Sequence, residues 1–143
     1  MTSTNPSTHR PLHVRLKFES TRPAVDAAIE RLLRDAAGAG LGPSHAFGLR
    51  LALEEALSNA LHHGNANDPS RKILVEYTMG PSEIAIDIED EGSGFDPAAV
   101  PDPTQEENLH IPAGRGLVLM RAYMTSVQFL GRGNRVRMRF QRP

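Results

Sequence analysis

The sequence contains no cysteine among its 143 residues. That absence excludes disulfide bonds and thiolate metal sites, and it is compatible with a reducing compartment. No apolar stretch approaches the roughly 20 residues that a membrane-spanning helix needs. Basic and acidic residues nearly cancel, with a formal net charge of −1, so bulk charge gives no reason to expect direct nucleic-acid binding. We therefore expect a cytoplasmic domain without membrane or nucleic-acid contacts.

The length suits one domain with a hydrophobic core. Residues 1–11 are rich in Ser, Thr, Asn and Pro and lack the apolar run of a signal peptide, so we expect a disordered N-terminal tail followed by a single domain over residues 12–143. Residues 95–113 hold four prolines and several acids. A polar loop of this length in a compact domain is usually functional or disordered.

Alternation of apolar and polar residues predicts strands beginning near Leu12, Ile73, Ile84, Val127 and Val136. Helical spacing predicts three helices, over about residues 21–38, 43–60 and 117–124. One apolar face per strand and amphipathic helices favour a two-layer α/β sandwich, with a mixed, mostly antiparallel sheet and three helices on one face. The opposite sheet face would carry charged residues that pair across strands or meet an acidic partner: Arg15, Lys17, Asp87, Glu89, Arg135, Arg137 and Arg139.

Glu55 and Asn59 lie four residues apart in the second predicted helix, which places both side chains on one face. The amide oxygen of Asn59 is the kind of ligand that Mg²⁺ accepts. Glu55 could orient and deprotonate a water or a serine hydroxyl beside that ion. An ordinary solvated helix face has the same pattern, so this pair alone does not decide between the two interpretations.

Asp90 ends a predicted strand directly before Gly92 and Gly94. A carboxylate there can accept a hydrogen bond from an exocyclic amine such as that of adenine, and the glycines let backbone approach a base or a phosphate. The alternative is a common acidic turn.

A second glycine pair, in Gly114-Arg115-Gly116, precedes the third predicted helix. The N–H groups at the start of a helix form an anion site, and the Arg115 guanidinium could reach a phosphate there. His62 and His63 end the second helix, where a cationic imidazole is favourable, and we interpret them as capping or surface residues.

The order of these motifs resembles the GHKL superfamily of ATPases, and within it the anti-sigma factor serine-protein kinases. The resemblance rests on three boxes, at residues 53–64, 88–97 and 114–120, and extends over about residues 12–141. It implies the Bergerat ATP-binding fold, with residues 95–113 as the ATP lid. Members often carry a threonine after the glycine of the last hairpin, whereas Gly133 is followed here by Asn134, which can also donate or accept a hydrogen bond.

The resemblance implies ATP and Mg²⁺ as cofactors. It implies Glu55 as catalytic base, Asn59 as the Mg²⁺ ligand and Asp90 as the residue that recognises adenine. It also places the nucleotide loops at Gly92, Gly94, Gly114, Arg115 and Gly116.

The implied partners are an alternative sigma factor and a STAS-type anti-anti-sigma protein, which such kinases inactivate by phosphorylating a serine. Homodimers are common in the family. Two other hypotheses stay open: a binding module that nucleotide switches without phosphoryl transfer, and the catalytic fragment of a histidine kinase or larger ATPase.

Overall fold

The computed structural model describes residues 11–93 and 112–142. In chain order the elements are β1 (Leu12–Glu19), α1 (Arg22–Gly38), α2 (Pro43–Asn59), a π-helical turn (Ala60–Gly64), β2 (Lys72–Met79), β3 (Glu83–Glu89), α3 (Pro112–Tyr123), β4 (Ser126–Leu130) and β5 (Arg135–Gln141). The expected N-terminal tail, apart from Pro11, and most of the expected lid lie outside the described residues.

The five strands form one sheet in the order β1-β2-β3-β5-β4, with β3 at its centre. Every neighbouring pair is antiparallel. The prediction of a two-layer α/β sandwich is confirmed, and no parallel pair occurs within the described residues. Glu89 pairs with Arg135, so the end of β3 lies beside the start of β5.

The core lies between the sheet and the helices. Buried strand residues that face inward alternate with less buried ones, as in β2, where Ile73, Val75, Tyr77 and Met79 are buried. The helices contribute their apolar stripes, which for α2 and the following turn comprise Leu49, Ala52, Leu53, Ala56, Leu57, Ala60 and Leu61. This burial is the main source of the stability of the fold, because area removed from water is worth about 25 cal/mol per Å².

Helix α1 begins and ends as its sequence predicts. The Thr21 hydroxyl accepts a hydrogen bond from the Ala24 N–H at 3.3 Å, and Pro23 lies in the first turn. The helix ends at Gly38, and Gly40 follows with φ 97°, a conformation that glycine adopts without strain.

The outer face of the sheet carries ion pairs between strands, as the sequence predicts. The Asp87 carboxylate accepts two hydrogen bonds from Arg137, each at 2.9 Å, and one from Arg135 at 2.5 Å. Burial alone would raise the pKa of Asp87, but the two guanidinium groups outweigh it and hold the pKa below its ordinary value. The Arg139 guanidinium lies 3.7 Å from Glu83 in the same row.

The connection between α2 and β2 departs from ordinary helix termination. The Asn65 N–H donates to the Ala60 carbonyl at 2.8 Å, which closes a π-helical turn over Ala60–Gly64. Ala66 and Asn67 follow with φ 52° and 58°, in the left-handed region. Such turns and conformations cost free energy, and they are found frequently at functional sites.

Candidate functional site

A cleft of about 290 Å³ opens between the C-terminal half of α2, α3 and the ends of β3 and β5. Its walls are mainly apolar, formed by Ala56, Ala60, Ile88, Leu117, Met120, Phe129 and Val136. The polar side chains on the cleft are Asn59, His63, Asp90, Asn134 and Arg135. An apolar cleft with a few convergent polar groups is the usual form of a small-molecule site.

The Asp90 carboxylate lies in a cradle made by two glycines. The Gly92 N–H donates to Oδ1 at 2.8 Å. A methyl group placed on Gly64 would lie 2.2 Å from Oδ2 and 2.3 Å from Cγ of Asp90, and one on Gly92 would lie 2.2 Å from the Gly64 carbonyl oxygen. A side chain at Gly64 would displace the Asp90 carboxylate, and one at Gly92 would meet the backbone of Gly64.

Asp90 therefore has one oxygen, Oδ1, that is bonded to backbone, and a second oxygen that packs beside Gly64. Among the described residues, Oδ2 accepts no hydrogen bond. Burial raises the pKa of Asp90 above its ordinary value, although the Gly92 N–H and the nearby Arg132 act in the opposite direction. A half-buried carboxylate with an unused acceptor gains from a ligand that donates a hydrogen bond to it.

The β4–β5 turn holds the Asp90 backbone in place. The Asp90 N–H donates to the Asn134 carbonyl, and the Asn134 side-chain amide donates to the Asp90 carbonyl, both at 2.9 Å. Arg132 Nε donates to the Gly92 carbonyl at 3.0 Å. Asn134 thus lines the cleft and also fixes the residue that carries the carboxylate.

Helix α2 presents Glu55 and Asn59 one turn apart, as predicted, and both side chains are half-buried. Asn59 lines the cleft, whereas Glu55 is not among the described residues that do so. Within the described ranges neither side chain has a hydrogen bond or an ion pair. Glu54, by contrast, faces away and accepts from Arg22 at 2.6 Å.

The structure revises the position of the third motif. Helix α3 begins at Pro112, so Gly114 and Gly116 lie inside its first turns and do not precede it. Proline favours this start because its fixed φ suits the first helical position. Leu117 and Met120 of α3 reach the cleft. Gly94 lies outside the described residues, as does the side chain of Arg115.

Two residues of the site were missed by the sequence analysis. In the sequence Gly64 stands out only as the last residue of the first box and Asn65 has no assigned role, whereas the structure packs Gly64 against Asp90 and buries Asn65 fully beside it. The adjacent Gly64-Asn65 pair was the available signal, but such pairs also mark ordinary turns. His63 was read as a surface residue and lines the cleft, while His62 Nδ1 lies 2.6 Å from Asn67 Oδ1.

The donor set on the cleft suits a nucleotide better than an all-protein metal site. In the described parts of the chain, no group of three His, Asp or Glu side chains could hold a metal ion. Mg²⁺ commonly takes one or two protein oxygens and completes its shell with water and phosphate. The Asn59 amide could be such an oxygen, and Asp90 lines the same cleft with a carboxylate that can accept a hydrogen bond.

The fold and the cleft define a class of protein, an α/β sandwich with an apolar cleft that carries a half-buried carboxylate. A family model described as the histidine kinase-like ATPase domain matches residues 18–140. The chain therefore belongs to the histidine kinase-like ATPase domain family, and the ATPase domain implies an ATP site.

Curated relatives place the chain near anti-sigma factors. It is 32% identical over 85 residues to an anti-sigma F factor of Oceanobacillus iheyensis, covering 57% of this chain and 58% of that protein. It is 30% identical over 90 residues to an anti-sigma F factor of Clostridium perfringens, covering 61% and 64%. The serine/threonine-protein kinase BtrW of Bordetella bronchiseptica is 32% identical over 87 residues, covering 58% and 60%. Each match thus spans less than two thirds of the relative.

A solved structure shares the fold. The crystal structure of the RsbU and RsbW domains of a Mycobacterium tuberculosis protein matches with a TM-score of 0.60 and 20% identity, over 94% of this chain and 34% of that one. At this identity the match supports the fold alone. Within the described residues, no helix has the length and apolar character needed to cross a membrane.

Proposed function

We propose that the chain is an ATP- and Mg²⁺-dependent serine-protein kinase that acts as an anti-sigma factor in the cytoplasm. It binds an alternative sigma factor, and it phosphorylates a serine of a STAS-type anti-anti-sigma protein. The observation that carries the proposal is the Asp90 carboxylate, which is held by two glycines in an apolar cleft that also includes Asn59.

Asp90 recognises the adenine base. Its Oδ2 accepts from the 6-amino group, while Oδ1 stays bonded to the Gly92 N–H. The apolar side chains of Ile88, Leu117 and Met120 line the same cleft and bury the ring faces. A base with a carbonyl oxygen at the 6-position would place that oxygen against Asp90 Oδ2, and both atoms are hydrogen-bond acceptors in a partly desolvated site. The site therefore discriminates against inosine and guanine nucleotides.

Asn59 holds Mg²⁺ through its amide oxygen, with phosphate and water oxygens completing the shell. When bound, the ion neutralises negative charge on the phosphates. The absence of any hydrogen bond to the Asn59 side chain within the described ranges supports this role, since the amide is free to turn toward a ligand. Gly94, Gly114, Arg115 and Gly116 remain proposed phosphate-loop residues.

Glu55 acts as the catalytic base. It accepts the proton of the partner's serine hydroxyl as that oxygen bonds to the γ-phosphorus of ATP, and the bond to the β-phosphate oxygen breaks to release ADP. Its position one helical turn before Asn59 places the base and the metal ligand on the same side of α2. Glu55 has no ion pair within the described ranges that would compete for the proton.

The names of the relatives support a sigma factor as partner and phosphoryl transfer as the activity, since two similar proteins are anti-sigma F factors and a third is a serine/threonine-protein kinase. The STAS-type partner is proposed from the family resemblance of the sequence. The proposal includes a homodimer, because homodimers are common among the anti-sigma factor serine-protein kinases that the sequence resembles.

The direct test is phosphoryl transfer. The purified protein is incubated with γ-labelled ATP, Mg²⁺ and an extract of its own cells, and labelled bands are mapped by mass spectrometry. Wild type should label a serine in a small STAS-like protein. Glu55→Ala should lose at least about 100-fold in transfer rate while it keeps ATP affinity, because Glu55 does not line the cleft.

The matched control is Glu54→Ala. Glu54 is the neighbouring acid on the same helix, but its carboxylate pairs with Arg22 on the exposed side. That variant should transfer phosphate at the wild-type rate. Equal transfer by the Glu55 variant would contradict the catalytic role.

The alternative is a binding module in which ATP occupancy changes partner affinity without phosphoryl transfer. The half-buried position of Asn59 on the cleft is compatible with it. ATP-dependent partner capture with no phosphoserine in the captured protein would favour the module over the kinase.

A further inference from the structure

Asn65 is one of two buried polar residues among those described, and it is fully buried. It follows the π-helical turn and lies outside the cleft lining. Its side-chain amide donates to the Ser20 hydroxyl at 2.8 Å and to the Lys72 carbonyl at 2.9 Å. Its side-chain oxygen accepts from the Glu91 N–H at 2.8 Å. One side chain thus connects the ends of β1 and β3 with the start of β2.

The network fixes the orientation of the Asn65 amide. The Lys72 carbonyl can only accept and the Glu91 N–H can only donate, so Nδ2 and Oδ1 have one consistent assignment. The Ser20 hydroxyl donates to the Arg71 carbonyl at 2.7 Å and is left to accept from Asn65. Both amide hydrogens and the amide oxygen are therefore used, and a fully satisfied buried network of this kind is rigid.

Asn65 also connects the two halves of the cradle around the Asp90 carboxylate. On one side it follows Gly64 in sequence, and Gly64 packs against the carboxylate. On the other it holds the N–H of Glu91, the residue between Asp90 and Gly92. The Glu91 carboxylate in turn accepts from the Lys72 N–H, which reinforces the same junction.

We propose that Asn65 is a positioning residue that sets the discrimination between adenine and 6-oxo purines by holding the Gly64 and Asp90 loops in register. The inference rests on the proposed function, because it assumes that Asp90 recognises adenine. Loss of the Asn65 side chain leaves the Glu91 N–H and the Lys72 carbonyl without partners, so the loops separate to reach water. Asp90 then keeps its charge but loses its fixed position.

A purely structural role predicts a different result. The Tyr77 hydroxyl donates to Asp35 at 2.6 Å from a buried position on β2, and neither residue lines the cleft. Tyr77→Phe removes one buried hydrogen bond without reaching the cradle. It is the matched control, since it lowers stability but leaves the Asp90 carboxylate in place.

The test compares the affinities of ATP and ITP, which carries oxygen in place of the 6-amino group. Dissociation constants are measured by calorimetry with Mg²⁺ for wild type, Asn65→Ala, Ser20→Ala and Tyr77→Phe, and urea unfolding confirms that each variant is folded. Wild type should favour ATP on the order of 100-fold, because ITP leaves the partly buried Asp90 acceptor without its donor.

Asn65→Ala should reduce the ATP-to-ITP preference at least about tenfold, which corresponds to the loss of a well-positioned hydrogen bond. Ser20→Ala leaves Asn65 two of its three bonds and should reduce the preference less. Tyr77→Phe should keep the wild-type preference. If Asn65→Ala does not fold, the Ser20→Ala result decides in its place.

An unchanged preference in a folded Asn65→Ala protein, or in Ser20→Ala when it is the deciding variant, overturns the positioning role. An equal reduction in Tyr77→Phe overturns it too, because the effect would then follow stability. A wild-type protein that binds both nucleotides equally overturns the adenine site itself, which separates failure of the proposed function from failure of this inference alone.

Discussion

Substitution of Gly64 by alanine should disable the cleft while it leaves the fold intact. The added methyl group would lie 2.2 Å from Oδ2 and 2.3 Å from Cγ of Asp90, far inside contact distance. Every near atom belongs to the end of the Asp90 side chain, which can rotate away. The change therefore displaces the carboxylate and spares the backbone.

The structure predicts a separate magnitude for the loss of stability and for the loss of ATP affinity. Displacing the carboxylate costs the bond from the Gly92 N–H and some packing, so the free energy of unfolding should fall by about 1–3 kcal/mol. ATP affinity should fall at least about tenfold, because the acceptor for the base has moved out of place. Gly92→Ala should be more destabilising, since its methyl group would meet the backbone of Gly64, which cannot rotate away.

The assay is a double-mutant cycle. Urea unfolding is measured for wild type, Gly64→Ala, Asp90→Ala and the double variant, with ATP titrations in parallel. Gly64→Ala should cost much less in the Asp90→Ala background, where the obstructing carboxylate is gone. Gly38→Ala is the control, because no atom lies within 4 Å of the added methyl group there.

Two results would refute the reasoning. One is a Gly64→Ala protein that binds ATP as tightly as wild type. The other is the same stability cost of Gly64→Ala whether or not Asp90 carries its carboxylate, which would place the clash elsewhere.

Three further predictions concern stability. Arg137 holds the pKa of Asp87 below its unfolded value despite burial, so the unfolded state binds more protons as pH falls. The free energy of unfolding should therefore drop below about pH 4. An Asp87→Asn protein that loses as much stability in acid as wild type would count against the ion pair. Tyr77→Phe should cost about 1 kcal/mol by urea unfolding, since Asp35 can still reach water, and no loss would show that the bond contributes nothing net. Ala66→Gly should raise the melting temperature slightly, because φ 52° strains an L-residue by about 1 kcal/mol; a lower melting temperature would mean that chain entropy dominates.

The fold could be predicted well from the sequence, because the local preferences of each segment for strand or helix agree with the burial that the whole fold requires. Alternation placed all five strands, and the Thr21 cap with Gly38 bounded α1. The start of α3 was predicted five residues late. Pro112 follows a polar segment without helical periodicity, so the helical spacing becomes visible only at Leu117.

Prediction of the candidate site was less complete, for a physical reason. Local patterns reveal Asn59, which lies four residues after Glu55, and Asp90, which lies just before two glycines. The structure brings both residues to one cleft. The roles of Gly64 and Asn65 depend on contacts with residues 26 positions away, as in the bond from the Glu91 N–H to Asn65. No local pattern encodes such a contact, and the π-helical turn that aims Asn65 inward has no sequence signature of its own.

The central position of β3 has a consequence for how the cleft opens. Asp90 follows a strand that is bonded on both sides, to β2 and to β5, so amide protons of β3 should exchange with solvent only when the whole domain unfolds. Helix α3, which forms the opposite wall, packs chiefly on α2 and contacts β4. Its amides should exchange through smaller openings, so the α3 wall of the cleft should open more readily than the β3 wall.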